Sequence, residues 1–224
     1  MTSAEARGGT AAPARSVDEL WLVVLEQIGG RVAHELKGAL NGVSVNLEVV
    51  RSRAAKSDAS ASSVAPFASS AADQLELVVS MTEALLALTR APREPVDVVE
   101  TVARLVAVLA PAARAEGGSL RIEQQSREVG GTMIRARGNA VRLVIGASLL
   151  AAIARKGDVR CRIEADDDTV VNITCVDDAG PLAVAQEVIA AAAEAGVRAH
   201  IDGQSMSVSF PRAGAARRRT PERA

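Results

Sequence analysis

Tyrosine is absent from this 224-residue chain, tryptophan occurs once and phenylalanine twice. A core built from it must be aliphatic, which favours helix-on-helix and helix-on-sheet packing. Without aromatic faces there is no stacking platform for single-stranded nucleic acid. Charge of one sign is missing too. With 26 basic and 27 acidic residues the formal net charge is −1, so nothing global draws the chain to nucleic acid or to a membrane surface. Cysteine is scarce. Cys161 and Cys175 lack metal-ligand spacing and fall in strand-like stretches, where a small buried thiol is the ordinary use. Two lone cysteines fit a reducing compartment better than a disulfide scaffold. Long apolar runs are absent, so no membrane span is expected, and the first residues lack the apolar core of a signal peptide. A cytoplasmic protein is expected.

What is present is punctuation. Residues 1–15 read as a disordered tail of Ala, Gly, Thr and Pro. Ser16, with Glu19 three residues on, offers a capping box, and a helix is expected from there to about Ser57. Its apolar residues Ala33, Leu36, Leu40, Val43, Leu47 and Val50 alternate in spacing of three and four, a seam for a partner helix. Gly29, Gly30, Gly38 and Gly42 interrupt it and would permit bending or a close approach. Residues 57–63 read as a turn. A second helix is expected from about Val64 to Thr89, with the seam Ala71, Leu75, Val78, Thr82 and Leu85. Together they make an antiparallel hairpin over 16–91. Two seams on one hairpin leave apolar surface uncovered, and pairing two copies into a four-helix bundle would cover it.

Pro92 and Pro95 end the helix, and 92–95 is expected to be a linker. From 96 to 212 the pattern changes to an α/β sandwich, helices on one face of a mixed sheet. Helices are expected at Val96–Ala115, Ala136–Ala154 and Leu182–Ala195. Strands are expected at Leu120–Gln124, Asp158–Ala165, Val170–Val176, Val197–Ile201 and Ser205–Phe210. A charged turn, Asp166-Asp167-Asp168, joins the middle pair. Residues 213–224, with Arg217-Arg218-Arg219, read as a basic disordered tail. The fold class is α+β.

Only two histidines occur, His34 and His200. His200 lies in an alternating strand and reads as structural. His34 stands in His34-Glu35-Leu36-Lys37-Gly38-Ala39-Leu40-Asn41, on the amphipathic helix. This string, with the order of elements around it, resembles the catalytic core of bacterial sensor histidine kinases. The hairpin is similar to their dimerisation and histidine-phosphotransfer domain, and the second half to their ATP-binding domain. The resemblance covers roughly 18–212. It implies that His34 is the phosphorylated residue and Glu35 the acidic neighbour acting as its base. Gly38 stands where Asn or Thr would position water, and Ala39 replaces a proline.

In the second half the likeness keeps the order and departs from the motifs. Ala147 and Ala151 fall where asparagines would coordinate magnesium, a metal that needs oxygen ligands. Asp177-Asp178-Ala179-Gly180-Pro181-Leu182 only partly follows the adenine-binding box, and no residues remain for the ATP lid. The combination resembles histidine phosphotransferases that are built like a kinase core and do not bind ATP.

That likeness implies a phosphorelay shuttle: a homodimer that binds neither cofactor nor metal. The partners are response-regulator receiver domains, which bring their own magnesium. A neutral imidazole is nucleophilic near pH 7 and forms covalent intermediates. Glu35 would orient the ring or take its proton, and Lys37 would screen phosphoryl charge. Leu36, Leu40, Asn41 and Val43 would supply partner contacts. Two alternatives remain at this stage, a divergent ATP-dependent histidine kinase and a non-catalytic dimeric scaffold that binds a regulator.

Overall fold

The computed structural model describes residues 15–56, 60–124, 133–165, 168–176 and 180–211. Residues 1–14 and 213–224 of the expected tails, 57–59 of the turn expected at 57–63, Asp166-Asp167 and Asp177-Asp178-Ala179 lie outside the described residues. Two long helices come first, α1 (Val17–Ala54) and α2 (Ala61–Thr89). After them come β1 (Val96–Asp97), α3 (Val98–Ala115), β2 (Ser119–Gln124), β3 (Met133–Ile134), α4 (Gly138–Ile153), β4 (Asp158–Ala165), β5 (Asp168–Cys175), α5 (Gln186–Glu194), β6 (Arg198–Asp202) and β7 (Ser205–Pro211).

The capping box forms as its spacing suggests. The Ser16 hydroxyl accepts from the Glu19 backbone N–H at 3.2 Å, and the Ser16 N–H donates to the Glu19 carboxylate at 2.7 Å. The serine's hydrogen bonds hold the Glu19 carboxyl below the usual carboxylate range. Five strands form one mixed sheet in the order β2-β4-β5-β7-β6; β2 and β4 pair in parallel and the rest antiparallel. A small separate sheet pairs β1 with β3. Period-two alternation decides the faces. Val159, Cys161, Ile163, Val171, Ile173, Met206, Val208 and Phe210 point inward under α3, α4 and α5.

Burial and the nearby Cys175 push the Cys161 thiol up from 9.0 to about 12. The sign follows from linkage. The folded state favours the neutral thiol, so this contribution is complete below the unfolded pKa. It is lost as pH rises towards the folded value, at about 1.4 kcal/mol per pH unit. No tyrosine titrates in that window. Denaturant midpoints are expected to fall between pH 8.5 and 11, and Cys161→Val is expected to flatten that slope.

Four expectations are corrected. Helix α5 starts at Gln186, not Leu182. Leu182 instead donates its backbone N–H to the Gly203 carbonyl at 2.9 Å, tying the preceding segment to the β6–β7 turn. Helix α2 starts at Ala61 and β5 at Asp168, each earlier than the pattern suggested.

The fourth correction concerns the hairpin, where each expected seam splits in two. Leu36, Val43 and Val50 of α1 are half-buried against α2, with Val32 fully buried. Ala33, Leu40 and Leu47, seven residues apart, are exposed on a second stripe. On α2, Ala71, Met81 and Leu88 are buried, while Leu75, Val79, Thr82 and Leu86 form an exposed stripe. The inner seam admits a polar layer. Asn46 Nδ2 donates to Ser70 Oγ at 3.1 Å and to Gln74 Oε1 at 3.4 Å. Gly42 makes room for that layer, because a Cβ there would sit 2.5 Å from the Gln74 amide.

A helix advances about 100° per residue, so the exposed stripe lies about 50–60° round from Leu36, Val43 and Val50 on α1 and about 100° round from Ala71, Met81 and Leu88 on α2, in the same rotational sense. Because α1 and α2 run antiparallel, the same sense of rotation brings both stripes to one side of the hairpin.

The base of the hairpin shares one hydrophobic core with the sandwich. Leu20, Trp21, Val24 and Ile28 of α1 lie on α4, which presents Gly146 to them. A Cβ at Gly146 would meet Val24 at 3.1 Å, Trp21 at 3.4 Å and Ile28 at 3.7 Å. Polar contacts pin the same end, with Asn139 Nδ2 donating to Asp18 Oδ1 at 2.9 Å and Arg137 pairing with Asp18 at 3.4 Å. Arg142 reaches from α4 to the C-terminus of α2. Its guanidinium donates to the carbonyls of Ala87, Leu88 and Arg90 at 3.3, 3.1 and 2.7 Å. These are carbonyls that a helix end leaves without partners.

Candidate functional site

His34 is exposed, midway along α1 and just above the shared core. Gly30 and Gly38 lie one turn to either side of it, on the same part of the helix surface. A Cβ at either position would meet no atom within 4 Å. The imidazole therefore stands clear of its own helix, with room for another protein's backbone to approach. Lys37 and Asn41, one and two turns further on, are exposed on the same side. His34 lies about 120° round the helix from the stripe of Ala33, Leu40 and Leu47, whereas Lys37, four residues after Ala33 and three before Leu40, flanks that stripe.

A groove with a volume of about 490 Å³ opens beside His34, between α1 and the C-terminal end of α3. Gln27, Arg31, His34 and Glu35 line it from α1, and Ala112, Ala115 and Glu116 from α3. The way α3 ends fixes its wall. Gly118 N–H donates to the Ala113 carbonyl at 2.9 Å and Gly117 N–H to the Arg114 carbonyl at 3.1 Å. This paired closure needs a left-handed residue, and Gly117 supplies it with φ +92. Glu116, just before the turn, is thereby aimed at α1. Its carboxylate lies 3.7 Å from Arg31 Nε. Each side chain is about one-third exposed, so the pair adds about 0–1 kcal/mol to stability.

The residues singled out from the sequence therefore separate. His34, Glu35, Lys37 and Asn41 stay together, Glu35 half-buried on the groove wall. Leu36 is packed against the core and Val43 is half-buried in the inner seam, so neither is on the open side. Leu40 is exposed, on the other stripe. Arg31 and Glu116 went unassigned in the sequence. Arg31 had a visible signal, one turn before His34 on the same side. Glu116 had none, since only tertiary packing brings it across from α3.

The positions that resemble metal ligands of a kinase lie elsewhere. Ala147 and Ala151 line a separate groove between α1, α4 and the segment before α5, with Leu20, Val24 and Val188 among its walls. Two side chains of α4 carry oxygen. Asn139 donates its Nδ2 to Asp18 while its Oδ1 is buried with no hydrogen-bond partner among the described residues, and buried Ser148 is engaged with the Val144 carbonyl and Met206. Ala147 and Ala151 themselves offer no oxygen, and a magnesium-bridged triphosphate needs oxygen donors. Among the described residues no group of three or more His, Cys, Asp or Glu is placed to hold a metal ion. Among them, too, no helix is long and apolar enough to cross a membrane.

No family model matches the chain, and no curated protein sequence matches it. Among solved structures it is similar to the Acinetobacter baumannii histidine kinase AdeS, with 13% identity and a TM-score of 0.37, over 80% of this chain and 98% of that one.

Proposed function

We propose that this protein is a histidine phosphotransferase, passing phosphoryl groups between receiver-domain aspartates through His34 without using ATP. The observation that carries the reading is the setting of His34. It is an exposed imidazole between two glycines with open space above them, on a helix whose local string resembles a kinase phosphorylation box. The Ala147 and Ala151 positions, which carry no oxygen ligand, favour transfer over kinase chemistry.

In the forward step the phosphorus–oxygen bond of a receiver's aspartyl phosphate breaks as a phosphorus–nitrogen bond to His34 forms, and the carboxylate leaves. Glu35 orients the ring or takes its proton. The second receiver's carboxylate then attacks phosphorus, and the imidazole leaves. Each receiver brings its own magnesium. Lys37 and Asn41 meet the visiting domain. Two copies of the chain pair through the stripes Leu40–Leu47 and Leu75–Leu86, which share one side of the hairpin, so each His34 faces outward.

The test is transfer from phosphorylated receiver domains of the same organism. Purified protein is expected to sediment with the mass of two chains and to gain acid-labile phosphate on His34. His34→Gln is expected to lose at least a thousandfold in transfer rate, since the bond-forming nitrogen is gone, while melting and sedimenting like the parent because the side chain is exposed. Self-labelling from ATP would sink the reading. So would regulator binding and output that His34→Gln leaves intact, the behaviour of a scaffold.

A further inference from the structure

We infer that Arg31 is a phosphoryl-holding residue that Glu116 occupies until His34 carries its phosphate; this rests on the phosphotransfer reading above. Three observations bring the groups together. Arg31 precedes His34 by one turn, a spacing at which side chains on a helix are neighbours. Both line the groove against α3. Arg31 Nε is buried and, among the described residues, has no hydrogen-bond acceptor; Glu116 Oε1 stops at 3.7 Å, beyond a hydrogen bond.

A buried donor left in that state calls for a partner that arrives later. A phosphoryl group on His34 brings three acceptor oxygens and nearly two negative charges. A guanidinium matches it with a planar fork of donors. The same groove holds two carboxylates, Glu35 and Glu116, and both repel the new charge. Turning Arg31 from Glu116 to the phosphate replaces a long ion pair with charge-assisted hydrogen bonds. It also cancels part of that repulsion. Glu116 thus acts as a positioning residue. It keeps Arg31 beside the groove in the resting protein and sets how far the equilibrium favours phosphohistidine.

The experiment measures the equilibrium between receiver phosphoaspartate and phospho-His34 in the full-length dimer, and the half-life of phospho-His34 formed from phosphoramidate. Arg31→Gln is expected to lower the phosphohistidine share about tenfold, the scale of one charge-assisted contact. Arg31→Lys is expected to recover part of it. Glu116→Gln is expected to act oppositely and raise the share several-fold. A pair with a purely structural role would shift both variants the same way, or neither, and that result overturns the inference while phosphotransfer stands. If neither phosphoramidate nor any receiver labels His34 in the parent protein, the phosphotransfer reading fails first and this inference with it.

Discussion

Trp21→Ala is expected to cost about 3–5 kcal/mol, the range for emptying a large aromatic site in a packed core. Trp21 is 3% exposed, on the crossing of α1 and α4, where its ring reaches within 3.4 Å of the point a Gly146 Cβ would occupy. Deleting it leaves a hole whose walls come from two helices already in contact, so the site relaxes little. The adjacent residue provides the contrast. Leu22 is 63% exposed, and Leu22→Ala is expected to change stability by less than about 0.5 kcal/mol. Chemical denaturation of both variants measures the difference. Similar small losses would mean that α1 does not rest on α4 in solution.

Arg142→Met is the second large loss expected, about 3 kcal/mol or more. Met fills a similar volume, so the effect isolates the hydrogen bonds. Three carbonyls at the end of α2 lose a charged donor, two of them with contacts at 3.1 Å or less. Bonds to a charged group contribute about 1.5–3 kcal/mol, and orphaned buried acceptors carry a further penalty. Burial, and secondarily the nearby Arg104, lowers the Arg142 pKa from its ordinary value. That tension is offset by the three N–H donors that reach carbonyls. Arg142→Lys is therefore expected to fall between parent and Met, since one ammonium cannot span three carbonyls. Urea midpoints at neutral pH decide it, and a loss below 1 kcal/mol would show that water caps α2 as well as Arg142 does.

The parts of this molecule that could be read beforehand are those written in local code. Ser16 and Glu19 signal the start of α1 through a three-residue spacing that chemistry uses directly. Alternation in β4, β5 and β7 decides which residues enter the core. His34 stands out because histidine is rare here and its neighbours follow a known string. The hairpin seam was harder, because a three-four pattern of Ala, Leu and Val does not say how many partners it serves. Asn46 and Gln74 take inner places that the pattern assigns to Leu47 and Leu75, and Asn46 Nδ2 donates to Gln74 Oε1 there. Helix α5 starts later than its apolar pattern suggests because the run from Leu182 to Ala185 is apolar for another reason: Leu182 is buried beneath the β6–β7 turn. Arg142 looks from the sequence like one more helix residue, and its task depends on a helix end some fifty residues earlier. Glu116 is the same kind of case.

The glycine at position 146 has a mechanical consequence. By letting two helices touch backbone to side chain, it welds stalk and sandwich along an apolar contact of Val24, Trp21 and Ile28, and broad apolar contacts of that sort suppress sliding and swinging between bodies. A machine that worked by throwing one half against the other would want a joint there, and this one has a rivet. On the proposed phosphotransfer reading, the phosphoryl group passes from surface to surface over a frame that stands still.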